Sequence, residues 1–573
     1  MIADKKKGKI LLYVFLIIAA GLIIYQNACG GAFIWDDHSL VENNTYIKSW
    51  QNIPRILTEN IGIGSGKGSI FYRPLSILSF LADYTLWKLN PAGYHLTNII
   101  LHILTGLALF GFLYLLFGSK TIAFWTSILF IVHPVQVESV AYISGRGNLL
   151  GGFFMLLSLI VYIKSLRGKS VFWTGAMVIT YLFAILAKEN TIVLIFLLPC
   201  IYYYLKGKWN LRPVIPAGLV LAGYLMMRIF VLAAEKPVVS AMHGLGERIP
   251  GFFAAVTNYL RIFILPIQLH MGYGQKIFSF FDPQVITGFM FVTAAFYYAF
   301  KKLKSNPLHS FAILWFFITL LPFSNIYPIA FYMSENYLYL PSIGFFLVIA
   351  NNIVRKDTTM LDKRIRLSGG IVLLIVYAFL AIKQVNCWSD PITFYKHSLQ
   401  YEPENTELLV NLGTAYQDAG EYAQAMRTLK KVLSISPDSA DAYNNLGLIY
   451  LALGQDKQAI ASFKSAVDKK SGYAGAYYNM GVFYLNQQDF PAAEQMLKKA
   501  LALSPRNPSV YHKLGMLFMS REEEEKAIEA FKSAIAAKPE YVLAHYDLAK
   551  LYESRGETEL ALKYSENVRN LGY

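Results

Sequence analysis

The stretch NLGTAY at residues 411–416 opens a pattern that returns every 34 residues through the C-terminal third of the chain. Its glycine, Gly413, is replaced by an alanine only in the last copy, at Ala549. An apolar residue precedes this small residue, an aromatic residue follows it, and an alanine comes later at a constant distance. The positions are Leu412, Leu446, Met480, Leu514 and Leu548 (apolar); Tyr416, Tyr450, Tyr484, Phe518 and Tyr552 (aromatic); and Ala425, Ala459, Ala493, Ala527 and Ala561.

This spacing is that of the tetratricopeptide repeat (TPR), a pair of antiparallel helices. The small residues let the two helices pack closely, and the aromatic residue fills the groove between repeats. Prolines at 437, 505 and 539 are placed to end the second helix of three repeats. The pattern predicts five TPRs over residues 406–573, stacked into a solenoid with a concave face, and a half-repeat over 386–405 that caps it.

The charge of the chain is concentrated outside this solenoid. The 573 residues include 52 Lys+Arg and 37 Asp+Glu, a net charge of +15, of which residues 1–384 carry +18 and residues 385–573 carry −3. The excess forms short clusters between apolar runs, the positive-inside pattern of a polytopic membrane protein. A nucleic-acid-binding face would collect its charge on one groove or helix, so we expect no nucleic-acid partner. The clusters are Lys5-Lys6-Lys7-Lys9, Lys164-Arg167-Lys169, Lys206-Lys208-Arg212, Lys301-Lys302-Lys304 and Arg355-Lys356-Lys363-Arg364-Arg366.

The apolar runs of residues 1–385 are long enough to cross a bilayer, which needs about 20 apolar residues per helix. We predict an all-α protein, a multispan membrane domain followed by the TPR solenoid. The eleven predicted spans are 10–28, 96–117, 121–139, 148–165, 171–187, 190–205, 213–233, 286–300, 309–328, 336–354 and 367–385.

The segment 251–269 decides the topology. If it crosses the membrane, every later basic cluster moves outside; if it is re-entrant or interfacial, all five clusters stay in the cytoplasm. Pro250 and Pro266 favour a broken or re-entrant segment. We therefore predict a cytoplasmic N-terminus and an outward C-terminus, with the loop 29–95 outside. A disulfide between Cys29 and Cys387 is left open, and no metal site is expected because no ligand cluster is visible.

Ionisable residues cluster at the outward ends of the spans, where burial makes each one a functional candidate. Adjacent acids can supply a general base for a hydroxyl group, although an acidic turn explains them equally well. Guanidinium and ammonium groups can bind a lipid phosphate, and also snorkel or pair internally. The candidates are Asp36 and Asp37 after span 1; Arg73 and His95; His133, Glu138 and Arg146; Lys188 and Glu189; and Glu335.

The order of six motifs resembles the transmembrane-and-TPR protein O-mannosyltransferases of the GT-C glycosyltransferase class and their bacterial relatives. The motifs are FIWDDHSLVENN, YRPL, GYHLTNIILH, HPVQVESVAYISGRGNLL, LAKENTIV and SENYLYLPSIGF. The resemblance covers nearly the whole chain and rests on order and spacing, since each motif is short. The chain is shorter than animal members, which favours a bacterial relative.

The resemblance implies transfer of one sugar, mannose-like, from an undecaprenyl- or dolichyl-phosphate sugar to a hydroxyl group of an exported protein, with inversion at the anomeric carbon. It implies Asp36, then Asp37, as the catalytic base. Arg146, Lys188, Arg73 and His133 are expected at the donor phosphate. Glu138, Glu189, His95 and Glu335 are expected in supporting roles.

The same resemblance places the protein in the bacterial inner membrane with its TPRs in the periplasm, or in the endoplasmic reticulum membrane with lumenal TPRs. The TPRs would recruit the acceptor or a partner protein. The alternative is a non-enzymatic membrane scaffold for an envelope or secretion complex, and a transporter is a third reading. A transporter would need charges near the bilayer midplane, whereas these lie at the edge.

Overall fold

The computed structural model describes residues 2–66, 69–168, 171–212, 214–232, 244–274, 276–329, 331–355 and 359–571, with side chains from residue 8 onward. Lys169, Lys356 and the side chains of Lys5-Lys6-Lys7 lie outside the described residues. The described residues form helices and loops without any strand, which confirms the predicted all-α class. They divide into two compact units, Met1–Glu402 and Pro403–Tyr573.

The first unit contains sixteen α-helices among its described residues. They are α1 Ile2–Tyr25, α2 Ile53–Thr58, α3 Pro74–Trp87, α4 Pro91–Phe117, α5 Lys120–Val132, α6 Val137–Ala141, α7 Arg146–Gly168, α8 Val171–Ala187, α9 Leu194–Lys206, α10 Val214–Leu232, α11 Leu245–Ile264, α12 Pro283–Lys301, α13 Pro307–Leu320, α14 Ser342–Ile353, α15 Met360–Asn386 and α16 Pro391–Leu399. Short 3-10 or π segments link several of them: Gln26–Gly30, His38–Glu42, Tyr46–Lys48, Trp50–Asn52, Ile63–Ser65, Pro134–Gln136, Ile143–Gly145, Glu189–Val193, Leu321–Phe323 and Glu335–Leu338.

Six stretches of the described chain are long and apolar enough to cross a membrane: Gly8–Gly30, Pro91–Phe117, Ile143–Gly168, Val214–Leu232, Pro283–Lys301 and Met360–Asn386. A seventh is available if the bent pair Lys120–Val132 and Pro134–Ala141 forms one span. Three shorter apolar helices, Val171–Ala187, Pro307–Phe323 and Ser342–Ile353, coincide with further predicted spans. The total of eleven spans stays a prediction.

The predicted span 121–139 is bent by 60° where α5 ends. Pro134 has no N–H to donate and disfavours a helical conformation for the residue before it, so His133 is extended, with φ −71° and ψ 130°. The His133 Nδ1 accepts the N–H of Val135 at 3.2 Å, and its Nε2 donates to the carbonyl of Phe263 at 3.2 Å. The imidazole therefore satisfies backbone groups that the bend and the end of α11 leave open.

Helix α11, which covers most of the ambiguous segment 251–269, is continuous. Pro250 lies inside its first turns, and Pro266 follows its end. Tyr377 of α15 donates to the carbonyl of Phe263 at 2.8 Å, which fixes the C-terminus of α11. The next helix along the chain is α12. Whether α11 is re-entrant stays a prediction.

Over its described residues the second unit consists of five helix pairs, as the 34-residue pattern predicts. The helices are α17 Thr406–Asp418, α18 Tyr422–Ile435, α19 Ala440–Ala452, α20 Asp456–Lys469, α21 Ala474–Asn486, α22 Phe490–Leu503, α23 Pro508–Ser520, α24 Glu524–Ala537, α25 Val542–Ser554 and α26 Thr558–Asn570. A Cβ on Gly413 would come within 2.8 Å of Leu429, and one on Gly481 within 2.7 Å of Leu497. Glycine is required there because the first helix of each repeat touches the second.

Candidate functional site

The two adjacent acids after α1 lie in different environments. Asp36 is exposed, whereas the side chain of Asp37 is 1% exposed. Asp37 accepts hydrogen bonds from the Ser144 N–H at 2.8 Å, the Ser144 hydroxyl at 2.5 Å and the Ile34 N–H at 3.1 Å. The backbone of Asp36 is fixed as well, because its N–H donates to the Tyr142 hydroxyl at 3.1 Å. Asp36 is thus the exposed member of the pair, although its side chain also interacts with Tyr142, and Asp37 ties its loop to the segment just before α7.

Burial raises the pKa of Asp37 to about 7, against the opposing effect of its three hydrogen bonds and with a small further rise from Asp36. Trp35, which precedes the pair, adopts a positive φ of 56°, uncommon for a bulky residue. Its ring packs 6.1 Å from that of Tyr395. Such a conformation persists where the surrounding structure enforces it.

Arg73, just before α3, forms a two-pronged ion pair with Glu189, just after α8. The Arg73 Nε lies 2.8 Å from Glu189 Oε2, and Nη2 lies 2.5 Å from Oε1. The pair is partly exposed, at 18% for Arg73 and 23% for Glu189. The neighbouring Lys188 has a different partner and donates to the Asn148 side-chain oxygen at 2.7 Å. The Ser76 hydroxyl donates to the carbonyl of Ala187 at 2.9 Å, which fixes α3 against the end of α8.

The pKa values of these groups show that they share one electrostatic environment. Burial, followed by the positive charge of Arg73, lowers the pKa of Lys188 to about 7. Burial would raise the pKa of Glu189, but the guanidinium of Arg73 outweighs it and lowers that pKa to about 2. Burial lowers the pKa of Arg73, but the carboxylates of Glu189 and Asp36 raise it overall. Arg73 is therefore close enough to both Asp36 and Glu189 to be affected by their charges, and Lys188 is close to Arg73 and Glu189.

Arg146 lies away from this surface. Its side chain is 0% exposed, and its guanidinium pairs with Asp83 at 2.5 Å. It also donates to the Asn98 side-chain oxygen at 2.8 Å and to the carbonyl of Tyr94 at 2.8 Å. With these partners Arg146 joins α3, α4 and α7. A donor phosphate would have to displace them, so the geometry favours a structural role for this arginine over the expected phosphate contact.

The two remaining acids hold loops together. Glu138, at the end of the bent pair, accepts from the Asn336 N–H at 3.0 Å, the Asn336 amide at 2.6 Å and the Ser334 hydroxyl at 3.2 Å. Glu335 accepts from the His270 N–H at 2.8 Å and the Tyr273 hydroxyl at 2.5 Å. Burial, and then the charge of Glu138, raise the pKa of Glu335 well above its ordinary value. Both acids are buried and serve as supports.

The two candidate histidines are buried as well. His133 uses both ring nitrogens on backbone groups, as described above, and does not reach the surface where Arg73 and Lys188 lie. His95 is 2% exposed, and a Cβ on Gly31 would lie 2.9 Å from its Nε2. The imidazole of His95 therefore packs under the segment that leads to Asp36.

Several partners were missed by the sequence reasoning. Tyr142 and Ser144 position the acidic pair, Asn148 holds Lys188, and Asp83 neutralises Arg146. The motif HPVQVESVAYISGRGNLL includes Tyr142, Ser144 and Asn148 without indicating their roles, and Asp83 is visible as an acid within the mostly apolar sequence of α3. Within the described part of the chain, His, Cys, Asp and Glu side chains form no group of three that could hold a metal ion. Cys29, Cys200 and Cys387 are free, so the disulfide left open is not formed.

The fold defines a multi-pass membrane protein with a C-terminal TPR solenoid. Models of the tetratricopeptide repeat match residues 415–454, 450–517 and 512–567, which confirms the predicted repeat. A crystal structure of MamA is similar over 28% of this chain and 94% of its own, with 31% sequence identity and a TM-score of 0.26.

Curated relatives extend the similarity into the membrane unit. The chain is 27% identical over 73% of its length to "Protein O-mannosyl-transferase F38B6.6" of Caenorhabditis elegans, and covers 62% of that relative. It is 24% identical over 72% of its length to "Protein O-mannosyl-transferase TMTC3" of Mus musculus, of which it covers 50%. The chain thus spans about half to three fifths of these relatives' length. The resemblance to the transmembrane-and-TPR O-mannosyltransferases is confirmed.

Proposed function

We propose that the protein is an integral-membrane glycosyltransferase. It transfers a mannose-like sugar from an undecaprenyl- or dolichyl-phosphate sugar to hydroxyl groups of an exported protein, and its TPRs recruit that acceptor or a partner. The carrying observation is an exposed acid, Asp36, close enough to Arg73 to raise its pKa, with Lys188 close to Arg73 in turn. The names of the relatives support the sugar and the class of acceptor.

In the proposed reaction, Asp36 accepts the proton of the acceptor hydroxyl group. The hydroxyl oxygen attacks the anomeric carbon and forms the new glycosidic bond. The bond from that carbon to the phosphate oxygen breaks, and the polyprenyl phosphate leaves with the electron pair. Because this is one displacement of the GT-C type, the anomeric configuration inverts.

Lys188 and Arg73 stabilise the negative charge that develops on the leaving phosphate. Lys188 is the stronger candidate because its amide partner, Asn148, is uncharged, whereas Arg73 already binds a carboxylate. Glu189 keeps Arg73 in place, and Asp37 holds the loop that carries Asp36. We place the protein in the bacterial inner membrane, with the site and the TPRs on the outer side.

The test uses a deletion strain complemented with wild type, Asp36→Asn or Glu42→Gln. Glu42 is an acid of the same loop that pairs with His38 away from the site, so its variant is the matched control. We expect loss of the same glycopeptides in the deletion strain and with Asp36→Asn, and their return with Glu42→Gln. Unchanged glycopeptides in the deletion strain would instead favour the scaffold function.

A further inference from the structure

A groove lies at the other end of the helix bundle from Asp36, between the C-terminal half of α14 and the N-terminal half of α15. It encloses about 280 Å³. Its apolar wall is formed by Ile349, Ile353 and Leu373, its polar lining is Asn352, and its mouth is formed by Arg366. Its lining residues belong to neither the acidic pair nor the Arg73–Glu189 pair, so the groove is separate from the candidate site.

Two adjacent glycines of α15 shape this groove. A Cβ on Gly370 would lie 3.0 Å from Ile353 and 3.2 Å from Trp125, so the helices meet closely there. A Cβ on Gly369, in contrast, would meet nothing within 4 Å. Gly370 therefore sets the depth of the groove, and Gly369 leaves it open toward the surroundings. An extended hydrocarbon segment fits such a channel, because it needs apolar walls and no hydrogen-bond partner.

The mouth of the groove is basic. Arg366 is half-buried, and its Nη2 donates to the carbonyl of Arg355 at 3.4 Å. Lys363 and Arg364, on the same turns, are exposed. The acid among them, Asp362, is engaged in the capping box of α15 with Thr359. The guanidinium of Arg366 thus stands where the apolar channel opens and where positive charge exceeds negative charge.

We propose that this groove binds one anionic phospholipid, with its phosphate on Arg366 and an acyl chain along Gly369. Arginine is suited to this role because its planar guanidinium can donate hydrogen bonds to two phosphate oxygens at once. Basic segments at the cytoplasmic end of a span attract the anionic lipids of that leaflet. The inference does not rest on the proposed glycosyltransferase activity, since no residue of that site takes part.

The test is native mass spectrometry of the full chain, purified from detergent and exposed to phosphatidylglycerol or phosphatidylcholine vesicles. We expect the wild type to retain one phosphatidylglycerol. Gly369→Leu, which fills the open channel, and Arg366→Gln, which removes the phosphate ligand, are each expected to weaken retention about tenfold or more. For Arg366→Gln this is the effect of losing one charge-assisted contact.

Two control variants match these changes. Gly218→Leu places the same side chain at a span glycine whose Cβ would also meet nothing within 4 Å, and Arg364→Gln removes an exposed charge from the same helix. Both are expected to retain the lipid. Equal retention of phosphatidylcholine, full retention by Gly369→Leu and Arg366→Gln, or displacement by undecaprenyl phosphate but not by phosphatidylglycerol would each overturn the proposal.

Discussion

At the scale of single residues, neighbouring side chains of one type take on different tasks because their burial differs. Asp36 is exposed and Asp37 is buried, although the sequence offers no way to rank them beyond resemblance. Lys188 and Arg146 differ in the same way: Lys188 is half-buried, whereas Arg146 is fully buried among three helices. Burial and hydrogen-bond partners depend on tertiary packing, which the residue types alone do not specify.

The raised pKa of Asp37 predicts a pH-dependent stability. A carboxyl group whose pKa is raised by folding stabilises the folded state at low pH, and that contribution is lost as pH rises through about 7. We expect the unfolding temperature of the wild type to fall by several degrees from pH 5 to pH 8 relative to that of Asp37→Asn. Thermal unfolding of both proteins in one detergent measures this. Parallel curves would contradict it.

The lowered pKa of Lys188 predicts a pH-dependent affinity for the donor. Above about pH 7 the free enzyme loses the ammonium charge, so KM for the polyprenyl-phosphate sugar should rise as pH rises through 7. Lys188→Arg keeps its charge and should flatten this rise, even if kcat is reduced. Steady-state kinetics at several pH values separate the two constants. The same KM profile in both proteins would remove Lys188 from the phosphate site.

The Arg146–Asp83 pair offers a test of structural against catalytic function. Removing one partner leaves a buried charge, and we expect Arg146→Met to lose about 3–5 kcal/mol of stability. In Arg146→Met/Asp83→Leu no charge is left unpaired, so much of the stability and the activity should return. A stable but inactive double variant would restore the expected phosphate role of Arg146. Unfolding midpoints and sugar transfer are the two measurements.

At the scale of the helix, the sequence predicts repeats better than spans. The TPR register was readable because each repeat satisfies the same packing requirement, and Gly413 and Gly481 face the second helix as that pattern demands. The bend between α5 and α6 was missed, even though Pro134 was visible, because an apolar run of the right length looks like one span. The bend is held by the hydrogen bond from His133 to the carbonyl of Phe263. Phe263 is distant in sequence, so hydrophobic periodicity cannot predict this contact.

The helix contacts in the solenoid predict opposite effects for two glycines. A Cβ on Gly481 would meet Leu497 at 2.7 Å, whereas one on Gly475 would meet only the ring of Tyr473 at 3.7 Å. Gly481→Leu should therefore destabilise its repeat by about 1–3 kcal/mol through overpacking. Gly475→Ala should stabilise the helix by up to about 1 kcal/mol. Hydrogen exchange of peptides from α21 and α22 in the full chain reports both changes. Similar exchange in the two variants would argue against this packing.

At the scale of the whole molecule, the sequence predicted the all-α class, the membrane unit and the repeat unit. It also grouped most candidate residues at one end of the spans. It assigned supporting roles to Glu138 and Glu335 only through the resemblance, and it placed His133 at the donor phosphate, because residue types do not show which side chains have protein partners. That distinction rests on partners such as Asn336, Tyr273 and Phe263, which are far away in sequence.

The Arg146–Asp83 pair also constrains how the chain is made. A ribosome delivers Asp83 before Arg146, so on the predicted topology, with the loop 29–95 outside, the counter-ion is translocated before α7 enters the membrane. Insertion of α7 with its arginine enclosed then requires that α3 and α4 have begun to assemble, because Asn98 and Tyr94 complete the partners of the guanidinium. The segment that carries α3 would thus fold before α7 inserts, so the sequence order of these helices would set the order in which they assemble.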